Sequence, residues 1–322
     1  MKTIRDVVGF GEAMLRLSVP QGARLTTADG FAAHAAGAEL NVAANLAALG
    51  RSAGWVGAVP DNAIGEWMVN RLHALGIDDR GVVRLGDTRL GTFFVEAGVA
   101  PRETRVVYDR RDSAATKLGS VEVPWPYLST ARILHVSSIT AAIGGEAKAS
   151  LEHVLSWAHG EGIPVSFDVN YRSLLWSPEQ ANAWISSHVH GVELFTCAER
   201  DARQLFGLSG NPCELARALL DRFEARWVVV TSGAQGAVAV SGSRCVEQPA
   251  LRTQVLDRIG AGDAFVSGVI DGWLDQDLEA GMERGAVLAA LVLGQRGDQV
   301  TTDRTEVETL RRGPGPVSGV AR

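Results

Sequence analysis

With 322 residues, the chain is long enough for one large α/β domain with a small appended unit. Hydrophobic residues make up 46% of it and charged residues 21%, which excludes a disordered or collagen-like protein. Its 31 basic and 37 acidic residues give a net charge of −6, without the basic excess that favours nucleic acid or an anionic membrane surface. We therefore expect a small-molecule partner, no nucleic acid and no membrane.

The cysteines and the first ten residues indicate in which cellular compartment the protein is expected. Cys197, Cys213 and Cys245 are far apart and form no Cys-x-x-Cys pair, so the pattern predicts buried free thiols rather than a disulfide framework or a zinc site. Residues 1–10 are too short and too polar for a signal peptide, and no apolar run reaches the roughly 18 residues of a membrane span. We expect a cytoplasmic protein.

In chain order, short apolar runs rich in β-branched residues alternate with stretches of helical spacing. Such alternation predicts an α/β fold with a mostly parallel sheet flanked by helices. The predicted strands are 7–10, 55–59, 133–136, 165–169, 192–196, 227–231 and 237–240, and the predicted helices are 39–49, 63–75, 146–159, 178–188, 212–223, 261–274 and 281–294.

Two segments, 15–36 and 88–118, do not follow this order of strand and helix. Their apolar and polar residues alternate, which predicts antiparallel strands. We expect them to pair into a small β-sheet lid over one edge of the main domain; a purely structural sheet is the alternative. The main domain would then comprise residues 1–14, 37–87 and 119–310. Residues 311–322, rich in glycine and proline, would form a flexible tail.

The most informative segment runs from 257 to 265, where Gly260, Ala261, Gly262 and Asp263 precede an amphipathic helical run. Small residues at a helix start let backbone N–H groups converge, and the helix dipole there favours an anion such as a transferring phosphoryl group. Asp263 would lie in the first turn, where its carboxylate could accept a proton from an attacking hydroxyl. The alternative is that Asp263 only caps the helix and the glycines only permit tight packing.

The Gly-Ala-Gly-Asp tetrad at 260–263 resembles the C-terminal signature of the PfkB carbohydrate kinases, the ribokinase-like family. Residues 36–43 resemble the sugar-binding motif of that family, and residues 230–237 resemble its strand-turn ATP segment. The three motifs follow in the family's order and span most of the chain. The resemblance implies a Rossmann-like domain with a β lid and an active site between the two.

For the reaction, the resemblance implies that MgATP donates the phosphoryl group and that Asp263 is the catalytic base. Gly260, Ala261 and Gly262 would form the anion hole. Whether a monovalent cation assists stays open. The implied ATP-binding residues are Thr231, Gly233, Gly236, Gly260 and Gly262.

Within this family, the resemblance is greatest to the 2-keto-3-deoxygluconate kinases, on residues 37–41, 105–110 and 166–179. The guanidinium group of arginine can donate two parallel hydrogen bonds to a planar carboxylate. A neutral sugar has no negative charge with which that guanidinium group could pair. Two implied arginines therefore favour a sugar acid, unless Arg110 is a solvated lid residue or Arg172 pairs with a phosphate or a carboxylate. The implied sugar-binding residues are Gly37, Asn41, Tyr108, Arg110, Ile139, Arg172 and Asp298.

The sequence departs from the family at three positions linked to the nucleotide or its metal. Ala198 replaces the asparagine of a motif associated with Mg²⁺, so the metal-linked residue would be Asp201 or a displaced Glu199. Arg258 stands where a small residue or proline is usual, and Ala286 replaces an asparagine often found near adenine.

Two alternative functions stay open, and the departures suggest the second. One is a kinase for a neutral sugar such as fructose or ribose, or for a nucleoside. Another is a sugar-binding regulator that has lost activity.

The edge strand of a lid also needs covering, and the resemblance implies a homodimer through the lid.

Overall fold

The computed structural model describes residues 4–98 and 101–313. Its strands are β1 (Arg5–Phe10), β2 (Met14–Ser18), β3 (Ala32–Ala36), β4 (Ala53–Pro60), β5 (Val82–Leu85), β6 (Gly91–Glu96), β7 (Arg105–Asp109), β8 (Ala131–Ser137), β9 (Val165–Asp168), β10 (Leu194–Ala198), β11 (Trp227–Thr231), β12 (Ala237–Ser241) and β13 (Arg244–Gln248). Its α-helices are α1 (Ala38–Ala48), α2 (Ala63–Ala74), α3 (Trp125–Leu128), α4 (Ser138–Ala142), α5 (Gly145–Gly160), α6 (Pro178–His188), α7 (Glu199–Phe206), α8 (Pro212–Phe223), α9 (Ala261–Leu274), α10 (Leu278–Leu293) and α11 (Arg304–Arg311).

The larger sheet has the strand order β13-β12-β11-β10-β9-β8-β1-β4-β5 and is parallel except where β12 and β13 turn back. Helices flank it, and a second, smaller sheet accompanies it, so the predicted fold class is confirmed. Strands β4 and β5 lie on one side of β1, and strands β8 to β11, which come later in the chain, lie on its other side. Such a reversal opens a crevice at the carboxyl ends of the central strands, where ligands of α/β sheets bind.

The smaller sheet has the order β3-β2-β6-β7. We expected antiparallel strands throughout, and this is wrong for its centre: β2 pairs with β6 in parallel, while β2–β3 and β6–β7 are antiparallel. The reason is the chain path. Strands β2 and β6 each follow a strand of the parallel main sheet, β1 and β5, and so both leave it in the same direction.

Two of the cysteines form a disulfide that the sequence analysis did not expect. Cys213 in α8 and Cys245 in β13 are bonded, with their Cα atoms 6.5 Å apart, whereas Cys197 is free and buried. Because β11, β12 and β13 fold back on one another beside α8, two cysteines 32 residues apart meet at the same part of the core. Sequence spacing alone does not reveal such a meeting.

At the chain's end, Arg311 is the last residue of α11, so the expected tail does not begin there, and residues 314–322 lie outside the described ones. Within the described ranges, no helix is both long enough and apolar enough to cross a membrane.

Helix α9 is held by unusually close packing against α10. Gly268 faces Gly285 and Gly272 faces Gly281, so closely that an added Cβ at Gly268 or Gly272 would collide with the facing backbone. Every residue of α9 from Asp263 to Leu274 is buried. The helix therefore has a fixed position, and its first turn points at the crevice.

Candidate active site

A cavity of about 450 Å³ lies at the carboxyl ends of the central strands, between the main sheet and the small sheet. Asp168, Thr196 and Thr231 reach it from β9, β10 and β11, and Phe93 and Tyr108 reach it from the small sheet. A wider groove of about 1090 Å³ adjoins it, but that groove contains neither Asp263 nor the start of α9. The smaller cavity is therefore the candidate site. The predicted residues that line it are Gly37, Asn41, Tyr108, Arg110, Ile139, Arg172, Asp201, Thr231, Gly260, Gly262, Asp263 and Asp298.

The start of α9 is open to the cavity. Gly260 precedes the helix with a φ of 87°, and no side chain in the described part of the chain caps the first turn. The first N–H groups of a helix have no acceptor inside it, so those of Ala261, Gly262 and Asp263 are available to an anion. Gly262 lines the cavity and Ala261 does not. Gly260 cannot be replaced easily, because a Cβ there would collide with the carbonyl oxygen of Asp298.

Asp263 is only 9% exposed, and Asn41 Nδ2 donates a hydrogen bond of 2.7 Å to its Oδ2. Burial raises the pKa of Asp263 to about 6, against the opposing effects of the Asn41 hydrogen bond and the Arg172 charge. At neutral pH the carboxylate is therefore mostly ionised, and yet its basicity is well above that of an exposed aspartate. Both properties suit a general base.

Other buried carboxyl groups surround the same space. Burial, together with the charge of Asp263, raises the pKa of Asp168 to about 8. Burial raises the pKa of Glu39 to about 7, although Glu39 accepts hydrogen bonds from the backbone N (3.0 Å) and Oγ (2.6 Å) of Ser137. This carboxyl-rich end of the cavity favours bound protons or a cation.

A buried arginine joins the small sheet to the loop before α9. Arg16 of β2 is 2% exposed and forms ion pairs with Asp257 and Asp298. Asp257 Oδ1 also accepts a hydrogen bond of 3.1 Å from the backbone N of Ile259, next to Gly260. Sequence reasoning missed Arg16 because its partners lie 241 and 282 residues away.

Replacing Arg16 with methionine should destabilise the protein by about 3–5 kcal/mol, because two buried carboxylates would lose their counter-charge. Urea unfolding at pH 7 measures this. Arg244→Met is the matched control, because Arg244 pairs with Glu279 on the surface, where both side chains are 62% exposed, and should change little. Equal effects of the two substitutions would contradict the interpretation.

On the side of the cavity that the small sheet forms, Tyr108 stacks on Phe93 with ring centroids 5.6 Å apart. Arg110 forms an ion pair with the buried Glu12, to which Ser113 Oγ also donates a hydrogen bond of 3.2 Å. By contrast, Arg172 is exposed to the cavity and has no ion pair with any residue that the structure describes. Of the two predicted arginines, Arg172 is the one without an ion pair among the described residues, and its charge also lowers the pKa of Asp263 and of Asp168.

The two metal-linked candidates differ in position. Glu199 does not line the cavity; it accepts hydrogen bonds from Ser232 (2.6 Å) and Arg203 (2.7 Å). Asp201 lines the cavity and pairs with Arg200 at 3.1 Å. Thr196 also lines it, and its Oγ1 is buried with no hydrogen-bond partner among the described residues. No three His, Cys, Asp or Glu side chains within the described ranges are grouped to hold a metal ion.

The remaining predicted nucleotide residues lie near the cavity without all reaching it. Gly233 and Gly236 belong to the turn between β11 and β12, and neither lines the cavity. Gly236 has a φ of 108° and packs against the end of β13. Arg258 is exposed and lines the cavity, whereas Ala286 is buried in α10.

The chain is similar to known proteins, both to a protein family and to individual relatives. Residues 4–305 match the model of the pfkB family carbohydrate kinases. The chain is 37% identical over 310 residues to a 2-dehydro-3-deoxygalactonokinase of Haloferax volcanii, with 96% of this chain and 97% of the relative covered. It is 31% identical over 296 residues to a 2-dehydro-3-deoxygluconokinase of Bacillus subtilis, with 91% of each covered.

A solved structure gives the same result. The 2-dehydro-3-deoxygluconokinase of Thermotoga maritima superimposes with a TM-score of 0.89 at 30% identity, with 95% of this chain and 99% of that chain covered. The family match spans nearly all of the described residues and includes the cavity, the open start of α9 and Asp263. The chain therefore belongs to the pfkB family of carbohydrate kinases and is an ATP-dependent sugar kinase.

Proposed function

We propose that the protein transfers the γ-phosphoryl group of MgATP to the primary hydroxyl of a 2-keto-3-deoxy sugar acid, with 2-keto-3-deoxygluconate as the first candidate and its 6-phosphate as the product. The observation that carries this proposal is Arg172, an arginine without an ion-pair partner among the described residues, in the same cavity as Asp263 and the open start of α9. Relatives named for the gluconate and for the galactonate acid support the substrate class.

In this reaction Asp263 accepts the proton of the attacking hydroxyl. The backbone N–H groups at the start of α9 stabilise the charge on the phosphoryl group as it moves. The cavity between the two sheets holds the hydroxyl and the phosphoryl group in line, and positioning of this kind supplies much of the rate enhancement in phosphoryl transfer.

The charges of the cavity argue for an acid rather than a neutral sugar. Arg110 is already paired with Glu12, whereas Arg172 forms no ion pair with any described residue. A substrate carboxylate would give Arg172 a direct ion pair, and a neutral sugar would leave it only the longer-range attraction of the cavity carboxylates. We assign the carboxylate contact to Arg172 and a packing role beside Tyr108 to Arg110, whose guanidinium lies 5.6 Å from that ring centroid.

For the nucleotide, we propose that Mg²⁺ arrives with ATP as part of the substrate and that Asp201, rather than Glu199, faces it through water. Asp201 lines the cavity, whereas Glu199 is already bonded to Ser232 and Arg203. Thr231 and Arg258, which also line the cavity, would then face the phosphates.

The test is ADP release from the purified protein with MgATP. The panel consists of 2-keto-3-deoxygluconate, 2-keto-3-deoxygalactonate, gluconate, fructose, ribose and adenosine. Turnover confined to the two keto acids supports the proposal, and their ratio of kcat/KM decides between them. Turnover only on a neutral sugar or on adenosine would refute the sugar-acid assignment, and ligand binding without ADP release would favour the regulator.

The rate should depend on pH in a defined direction. Asp263 acts as a base only when ionised, and its pKa is raised to about 6. We therefore expect kcat/KM to fall as the pH drops through about 6 and to reach a plateau above about 7. A pH series at saturating MgATP measures this. The residual rate of Asp263→Asn should lack the same acid limb, and an acid limb that persists there would belong to another group.

We also propose that the small sheet acts as the lid and that two copies associate through it. Both of its outer strands, β3 and β7, have exposed residues, and large apolar side chains are exposed at Val107 in β7 and at Phe31, directly before β3. Edge strands of this kind favour pairing with another chain. Sedimentation of the protein at micromolar concentration should show a dimer, and a Val107→Lys variant should shift it toward the monomer.

A further inference from the structure

Asn41 forms hydrogen bonds through both ends of its side-chain amide, and its NH₂ group also lowers the pKa of Asp298. Its Nδ2 donates to Asp263 Oδ2 at 2.7 Å, and its Oδ1 accepts from Gln299 Nε2 at 2.6 Å. An amide rotated by half a turn would instead present its oxygen to the Asp263 carboxylate, and two acceptors would face each other. The orientation of this amide therefore decides whether Asp263 is stabilised or repelled.

A backbone carbonyl fixes the orientation of Gln299. Gln299 Nε2 also donates to the carbonyl oxygen of Ala35, at 2.8 Å. A carbonyl oxygen can only accept, so Gln299 must direct its NH₂ group to this side, and Asn41 must meet that group with its oxygen. From Ala35 to Asp263 each donor and acceptor is thereby determined.

We propose that Gln299 is a positioning residue for the phosphoryl transfer: it holds the Asn41 amide in the one orientation that donates a hydrogen bond to Asp263. The inference rests on the proposed role of Asp263 as the base. Gln299 touches neither the carboxylate nor the cavity, and it acts only through Asn41. It also links the base to β3 of the small sheet through Ala35.

The consequence concerns the protonation of Asp263. The Asn41 hydrogen bond lowers the pKa of Asp263, against the larger effect of burial. Loss of Gln299 would free the Asn41 amide to rotate and would raise that pKa. The other groups that act on Asp263 stay in place; they are Arg172 and Asn170 after β9, Asp168 at its end, Asp298 after α10 and Glu39 on α1.

The experiment compares pH profiles of kcat/KM for the wild type, Gln299→Met and Gln295→Met. Methionine keeps the length of glutamine and removes its amide. Gln295 belongs to the same loop, and its Nε2 donates to the backbone oxygen of Gln299 but not to Asn41. We expect Gln299→Met to move the acid limb upward by about one pH unit, with the rate recovered on the alkaline plateau. Gln295→Met should leave the limb in place.

A double-mutant cycle tests the route of the effect. If Gln299 acts through Asn41, Gln299→Met should add no further shift in an Asn41→Ala background. A uniform loss of rate at every pH, or the same shift in Gln295→Met, would overturn the proposal in favour of a structural role. Melting temperatures identify variants that fail to fold. Full activity of Asp263→Asn would instead refute the proposed base, and is thus distinguished from failure of the Gln299 inference.

Discussion

Substitution of Asp263 with asparagine is expected to lower kcat by roughly 10²–10⁴-fold, the usual contribution of a positioned general base. Asparagine keeps the shape of the side chain and can still meet Asn41, but it cannot accept the proton of the attacking hydroxyl. The uncapped start of α9 remains, so a residual rate from electrostatic stabilisation should persist. Coupled ADP release under saturating conditions measures the change.

This variant should fold normally. The pKa of Asp263 is raised by burial, so the charged carboxylate destabilises the folded state at neutral pH, and removing it should leave the melting temperature unchanged or higher. Asp277→Asn is the matched control, because Asp277 caps α10 away from the cavity and asparagine caps helices equally well. A kcat for Asp263→Asn near that of this control would show that another group takes the proton.

The second large effect is expected at the substrate carboxylate. Arg172→Ala should raise KM for the sugar acid by about 10- to 100-fold, since hydrogen bonds to charged groups contribute about 1.5–3 kcal/mol. The turnover number should change less, because the contact to a remote carboxylate is made before and during the transfer. Initial rates over a range of sugar-acid concentrations separate the two parameters.

Arg111→Ala is the control for this prediction. Arg111 is an exposed arginine in the adjoining groove and does not line the cavity, so its loss tests for a general effect of positive charge. Its effect on KM should be small at physiological salt. If both variants raised KM alike, the arginines would attract the substrate without binding its carboxylate. If neither did, the carboxylate contact would have to be assigned elsewhere.

Much of the fold could be predicted from local patterns. Strands such as β4, in which all eight residues are buried, appear as continuous apolar runs, and α8 begins with a capping box at Asn211 and Glu214. Strand β13 was missed because its burial is only partial and its sequence is polar. The same limit applies to the parallel pairing of β2 with β6, which depends on the path of the whole chain rather than on either segment.

The residues of the site also fall into two groups, those that a short segment of sequence predicts and those that it does not. Asp263 and the glycines around it are neighbours in sequence, so the chemistry they suggest could be predicted from one short segment. The partners that orient them are distant: Asn41 lies 222 residues from Asp263, and Gln299 lies 258 residues from Asn41. A glutamine in a polar segment carries no local signal of such a role, and only the folded chain brings it to the amide that it holds.

The ion pairs of Arg16 also limit how the small sheet can move. Arg16 lies on β2, a central strand of that sheet, and both of its partners belong to loops of the main domain. A rigid flap swinging about its base would have to separate two buried ion pairs in each catalytic cycle, and breaking such pairs is costly. We therefore expect the proposed closure of the lid to be a bending motion, in which β6 and β7, with Tyr108, fold inward while β2 stays anchored. The hinge would lie within the small sheet rather than at its junction with the main domain.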